Sequence, residues 1–249
     1  CGIPKDNIRM ILNTVGGSFG YSIAPNTHAL VVTAVQNLDM PCTMSLNYEE
    51  FIHTTGKRAA TFTNGRIACD KDGKIVAAEY DVGFDHGAYG TVPIFMNLAT
   101  VGFHGYNIPN FKALARGGAT NHAFNTAYRG FGSPQIYTCT EALVDMAAEK
   151  CGMDAWEFRY KNVARPGDLT INSCPYHDYI YPALLEKAKP VYDQYRAEAE
   201  AAKAQGRHVG VGIGLGGFII TIGMFDNAEI ALELNPDGTI THYNTWEDM

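Results

Sequence analysis

Apolar and polar positions change period along the chain, and each change marks an element. Residues 8–15 alternate early and are rich in branched side chains, a strand signal. Gly16-Gly17-Ser18-Phe19-Gly20 breaks that run. Over 25–37 the period lengthens, with Ala29, Leu30, Val32 and Thr33 at helical spacing. Residues 43–46 predict a short strand. Residues 66–69 and 74–84 predict two antiparallel strands turned at Lys71-Asp72-Gly73. The apolar stretch 94–103 fits a helix or a buried strand, and 111–120 reads as a strand. The strongest helix is 134–150, with Ile136, Leu143, Met146 and Ala147 on one face and Gly152 at its end. Asp154 caps a short helix reaching 161. Residues 165–181 are loop-like and 184–205 form a charged surface helix. Residues 209–243 read as three strands, the last pair turned by Asn235-Pro236-Asp237-Gly238.

These elements define an α+β chain, mixed sheets packed with helices. It reads as one region, 1–249, with possible sub-lobes at 1–165 and 166–249. A composition 46% hydrophobic and 18% charged is that of a globular chain with a sizeable core. With 26 acidic and 19 basic residues the net charge is −7, and no Lys/Arg run stands out, so nucleic acid is not an expected partner. No apolar stretch is long enough to cross a membrane and no signal-peptide core opens the chain; a cytoplasmic location is expected. The six cysteines include no Cys-x-x-Cys pair, against a zinc ribbon or a thioredoxin-type motif. The chain stops at Trp246-Glu247-Asp248-Met249 on a strand without a partner, so the expectation is a piece of a longer polypeptide.

Chemistry concentrates in two glycine loops. Gly16 to Gly20 lies between a strand and a helix, which presents backbone N–H groups to an anion. No Lys-Ser/Thr pair follows, so it is not a Walker A loop. Ala127-Tyr128-Arg129-Gly130-Phe131-Gly132-Ser133-Pro134-Gln135 sets an arginine between aromatics, brackets it with glycines and opens a helix at a proline. It offers an anion a fixed cation and two flat apolar side chains. Either loop alone is equally a plain turn. A third glycine run, Gly212-Ile213-Gly214-Leu215-Gly216-Gly217, matches Gly-x-Gly-x-x-Gly, but the β-branched residues after it do not form the helix a dinucleotide site needs. Glu49, Glu50, Glu79, Asp81 and Asp85 sit in ordinary elements, and surface pairing is the expectation for Arg159 and Lys161.

Together, in this order, the first two loops resemble the molybdenum hydroxylases, the xanthine dehydrogenase and aldehyde oxidoreductase family. Its Gly-Gly-x-Phe-Gly loop is matched by Gly16 to Gly20. Its Ala-Phe-Arg-Gly-Phe/Tyr-Gly-x-Pro-Gln signature is matched by Ala127 to Gln135, with Tyr128 in the first aromatic place. Supporting pieces are Tyr106-Asn107-Ile108-Pro109-Asn110, Ala119-Thr120-Asn121-His122, Arg159-Tyr160-Lys161-Asn162 and Arg165-Pro166-Gly167-Asp168. The resemblance covers essentially the whole chain and is nearest to bacterial aldehyde oxidoreductases that use the cytosine dinucleotide form of the cofactor; whether this chain's pterin carries that nucleotide stays open.

The resemblance implies the first half of a molybdopterin-binding region. It implies hydroxylation of an aldehyde, or a related carbonyl or heterocycle, with a metal-bound oxygen derived from water. Gly17, Phe19, Gly20, Ala127, Tyr128 and Arg129 would contact the molybdopterin. Phe19 and Arg129 would lie near molybdenum through the main chain, not as side-chain ligands. Ile23 and Phe131 would line the substrate pocket. Purine enzymes carry a glutamate where Ile23 stands and an arginine within 93–105, where this chain has none. A pocket without those groups does not clamp a purine, which favours an aldehyde. The family's general-base glutamate lies in a later segment and its iron–sulfur clusters elsewhere, so this chain supplies no catalytic residue by itself. It is expected to work with the remainder of the large subunit or with partner subunits, and to be inactive and without tightly held cofactor when isolated. Two other readings remain: a non-catalytic split subunit lending half a cofactor site, and a dinucleotide-binding oxidoreductase domain built on Gly212 to Gly217.

Overall fold

The structure is a computed structural model, and it describes residues 2–9, 11, 16–21, 27–88, 94–173, 175–176, 180–217 and 230–244. Its architecture is α+β. Two helices, α1 (His28–Leu38) and α2 (Tyr48–Thr54), precede a three-stranded sheet of β1 (Thr61–Cys69), β2 (Ile75–Gly87) and β3 (Phe111–Ala119), in the order β1-β2-β3. β1 and β2 form an antiparallel hairpin, and β3 joins the far side of β2 in parallel. A parallel neighbour needs a crossover. The ambiguous stretch 94–103 supplies it as α3 (Ile94–Thr100).

β1 begins at Thr61, before the expected residue 66, because Thr61, Phe62 and Thr63 ladder onto Phe84, Gly83 and Val82. The hairpin turn is held from inside and outside. Asp70 Oδ1 accepts the amides of Asp72 and Lys74 at 2.9 and 2.8 Å. Asn162, fully buried, accepts the Ile75 amide at 2.8 Å and donates to the Gly73 carbonyl at 2.8 Å.

α4 (Ser133–Lys150) packs against β1, and α3 against β3. The buried stripe of α4 is Ile136, Thr140, Val144 and Ala147, which includes Ile136 and Ala147 of the expected set, with Leu143 packed at its edge. Met146 is exposed, because two residues past Val144 is a rotation of about 200° away from the sheet. The core between sheet and helices contains Tyr80, Val82, Phe84, Leu98, Phe103 and Phe158. The Tyr80 hydroxyl reaches the Leu98 carbonyl at 2.7 Å.

α5 (Ala155–Asn162) starts at Asp154, whose carboxylate accepts the Trp156 and Glu157 amides, as expected of a cap. Its Arg159 corrects the sequence reading. The side chain has no exposed surface and donates twice to Glu141 Oε2, both at 3.0 Å. Asp145 pairs with it at 2.7 Å, and the Tyr106 hydroxyl donates to Glu141 Oε1 at 2.7 Å. Sequence spacing on a short helix carries no trace of this, since the partners come from α4 and a distant loop. Lys161 stays at the surface and donates to the Asp72 carbonyl.

α6 (Tyr181–Ala204) is mostly exposed, as its charge pattern implies, with one narrow buried face. Tyr181, Leu185, Tyr192 and Ala199 are buried, and the Leu185 carbonyl accepts Trp156 Nε1–H at 2.8 Å. β4 (Ile230–Leu234) and β5 (Ile240–Asn244) form the expected last hairpin. Residues 43–46 and 209–217 form no strand, because neither has a ladder partner among the described residues. The expected strand over 8–15 falls mostly outside them.

Candidate functional site

The two glycine loops, far apart in sequence, touch. Around the first, the Tyr21 amide donates to the Ser18 carbonyl at 3.0 Å, and the Tyr21 ring lies 5.2 Å from that of Phe51 on α2. Phe19 and Gly20 both take left-handed torsions, φ 54° and 96°. Gly20 is buried against Ala127: a Cβ there would stand 3.2 Å from Ala127 Cβ and 3.3 Å from its carbonyl carbon. Phe19 is 45% exposed beside this contact, free to face a ligand.

The second loop turns through three successive left-handed residues: Gly130 at φ 91°, Phe131 at 29° and Gly132 at 93°. Phe131 N–H closes onto the Tyr128 carbonyl and Ser133 N–H onto the Gly130 carbonyl, each at 2.8 Å. Asn97 on α3 donates to the Phe131 carbonyl at 3.0 Å. Gly132 then caps α4, with Pro134 in the first turn, as the sequence predicts.

Arg58 was not visible in the sequence. Its guanidinium donates to the Arg129 carbonyl and, at 3.1 Å, to Gln135 Oε1. It also stacks 4.6 Å over the Tyr128 ring. Partial burial pulls its pKa below the ordinary value. The fixed cation expected at this loop is therefore Arg58. Arg129 contributes a tied carbonyl, while its own side chain is exposed and makes no hydrogen bond or ion pair among the described residues. Residues 57–59 run alongside the loop: Lys57 exchanges backbone bonds with Phe124 and Thr126, both at 3.1 Å, and Gln135 donates to the Ala59 carbonyl at 3.4 Å.

Of the site residues named from sequence, Gly20 and Ala127 meet directly. Gly17 lies beneath the Phe19 ring, where a Cβ would meet Phe19 Cε2 at 3.4 Å. Tyr128, Arg129 and Phe131 share one turn. Ile23 lies outside the described residues.

The donor set suits an anionic, polyfunctional cofactor. Among the described residues, the amides of Tyr128, Arg129, Gly130 and Gly132 have no protein acceptor. Thr126 Oγ1 and Ser133 Oγ, on either flank of the turn, are buried without a partner. Free N–H groups at the positive end of a helix attract anions. No group of His, Cys, Asp and Glu among the described residues could hold a metal ion.

Four of the carboxylates named from sequence are committed elsewhere, while Glu49 makes no hydrogen bond or ion pair among the described residues. Glu50 caps α2, Glu79 pairs with Arg66, and Asp81 pairs with Arg116. Asp85 accepts from Thr120 and the Gly87 amide at 2.6 and 2.9 Å and meets His122 Nδ1 at 2.6 Å; the Thr120 bond leads in holding its carboxyl well below the usual range. The described cysteines are all partly buried, and burial pushes the Cys69 thiol up to about 11. Residues 212–217 are irregular, and the segment after them, where a dinucleotide site needs its helix, lies outside the described residues. Glu141 takes the Leu215 amide at 2.8 Å and Tyr181 donates to the Gly216 carbonyl at 2.6 Å. A hollow of about 480 Å³ on the outer face of the sheet includes Arg66, Glu79 and Lys112, but no residue of either loop lines it.

Two glycine turns pack on one another in this α+β protein and leave unpaired amides at a helix N-terminus, an arrangement suited to an anionic ligand. The family model described as the molybdopterin cofactor-binding domain matches residues 1–163, and the chain belongs to that family. Aldehyde oxidoreductase of Megalodesulfovibrio gigas is 37% identical over 249 residues, 99% of this chain and 28% of that protein. A solved structure of the Desulfovibrio gigas aldehyde oxidoreductase superposes with TM-score 0.78 at 37% identity, covering 94% of this chain and 26% of the other. That from Desulfovibrio desulfuricans gives 0.79 at 35% identity, covering 95% and 26%. The chain thus spans less than a third of the relatives it matches here.

Proposed function

We propose that this chain forms the cofactor-contacting lobe of a molybdenum hydroxylase acting on aldehydes. The observation that carries this reading is the packing of Gly20 on Ala127, which sets Phe19 beside the Tyr128–Gly132 turn. When bound, the molybdenum pterin supplies the redox chemistry that oxidises the substrate carbon. The chain's own residues bind and orient. The free amides of Tyr128, Arg129, Gly130 and Gly132 donate to the cofactor's anionic edge, and Arg58 and Arg129 offset its charge. The backbone at Phe19 and Arg129 would lie near the metal, and Gly17, Gly20 and Ala127 would let the main chain approach the cofactor closely.

Phe131 would wall the pocket on the substrate side, and the resemblance assigns Ile23 the same role. The apolar character of these two residues, and the absence of arginine within 93–105, favour an aldehyde over a purine. We place the catalytic base outside this stretch, in line with the engagement of Glu50, Glu79, Asp81, Asp85 and Glu141. The iron–sulfur centres that would take up the electrons belong to partner segments or subunits, and the 249 residues work as one region. The nucleotide form of the cofactor is read as cytosine dinucleotide only on the resemblance carried by the two loops.

The test is the full-length protein, assayed for molybdenum, for nucleotide released on acid hydrolysis and for turnover. Stoichiometric molybdenum, cytidine monophosphate and oxidation of aldehydes in preference to xanthine are expected. Preference for xanthine, or a protein without molybdopterin, defeats the reading.

A further inference from the structure

We propose that Arg58 is a positioning residue that sets the carbonyl and amide directions of the cofactor turn. The inference rests on the reading of that turn as the molybdopterin site.

Phe131, left-handed at φ 29° between two glycines, is the costly residue of this turn. Such torsions persist only where the surroundings over-determine them. Two side chains do so here. Asn97 holds the Phe131 carbonyl from α3. Arg58 holds the Arg129 carbonyl, reaches across to Gln135 on the first turn of α4, and lies on the Tyr128 ring. One planar guanidinium thereby spans the turn from entry to exit. With the carbonyls of 129 and 131 drawn to these donors, the unpaired amides of 128, 129, 130 and 132 are left for a ligand. Arg58 is itself fixed, since Lys57 exchanges backbone bonds with Phe124 and Thr126 and the Ala59 carbonyl accepts from Gln135. A lysine cannot replace it, because a point charge does not address two acceptors and a ring in one plane.

The experiment uses the full-length protein with Arg58→Met, Arg58→Lys and Gln135→Ala. Hydrogen exchange is read in cofactor-free protein, and molybdopterin content in protein as purified. In Arg58→Met, exchange at the Phe131 and Ser133 amides should rise about tenfold, as for loss of a hydrogen bond to a charged group. Exchange at Val144 within α4 should stay unchanged, and molybdopterin content should fall about tenfold. Arg58→Lys should restore neither, and Gln135→Ala should show a smaller change of the same kind. Unchanged exchange and content in Arg58→Met overturn the proposal. So does full rescue by lysine, which would assign a charge effect alone, or faster exchange throughout α4, which would assign a structural role. Wild-type protein without molybdopterin defeats the functional reading instead, and the exchange arm still decides whether Arg58 orders the turn.

Discussion

Gly20 shows how one backbone position can constrain a site. Its φ of 96° is open to glycine, and a Cβ would press on Ala127 at 3.2 Å. Gly20→Ala should destabilise the chain by about 1–3 kcal/mol through strain and separation of the loops. A urea midpoint equal to wild type would count against the contact. The buried ionic group is a second residue-scale test. Arg159→Met leaves the Glu141 carboxylate facing Tyr106 and the Leu215 amide without its cation. Breaking such a pair from one side costs about 3–5 kcal/mol. An equilibrium unfolding curve shifted by less than 1 kcal/mol, well below that range, would sink this account. Asp85 makes a pH prediction. Its carboxyl is held below the ordinary 3.8, first by the Thr120 hydroxyl and then by His122. Stability from this group is present above pH 3.8 and is lost as pH falls below it toward the depressed folded value. Asp85→Asn should flatten the acid limb of stability against pH and leave the slope above pH 5 alone; an unchanged acid limb contradicts the assignment.

The elements were legible where a period or a cap is local. α4 appears at Ser133–Lys150 against an expected 134–150, and the hairpin of β1 and β2 turns where Lys71-Asp72-Gly73 places it. Asp154 caps α5 through a carboxylate two residues from the amide it accepts. Failures follow an equally physical line. Residues 43–46 and 209–217 have strand-like composition, yet a strand exists only with a neighbour to share its ladder. α6, by contrast, is the surface helix its charges imply, with Tyr192 and Leu185 on a narrow buried face. The supporting family motifs proved to be scaffolding. Asn162 pins the hairpin turn, and Arg165 donates to the carbonyls of Val163 and Tyr160 at 3.0 and 2.9 Å. Asn162→Ala should therefore lower stability by about 1–3 kcal/mol, since it orphans the buried Ile75 amide. Amide exchange at Ile75 rising in step with that loss is the confirming measurement.

Across the whole molecule, burial is uneven. The sheet, α3, α4 and α5 enclose a dense core, whereas α1 and α2 bury no residue. Leu30, Leu38 and Ile52 are more than half exposed, as are Ile230, Leu232 and Leu234 on β4. A two-stranded hairpin with such a face is marginal by itself. None of the described helices is long and apolar enough to cross a membrane. In the isolated 249-residue chain, amides of β4 and β5 should exchange with the fastest class and those of β2 with the slowest. Protection of the hairpin equal to that of β2 would show that it is stable unaided.

The sequence by itself determined the class of elements, both glycine loops, the cap residues and the family, because these depend on residue type and short spacing. It named Tyr128, Arg129 and Phe131 as the turn that matters, since glycine and proline fix torsions locally. Only the tertiary structure brought Gly20 onto Ala127, buried Arg159 and put Arg58 beneath the loop. Those contacts join positions far apart along the chain, and packing alone decides which distant side chain arrives where a carbonyl needs a donor.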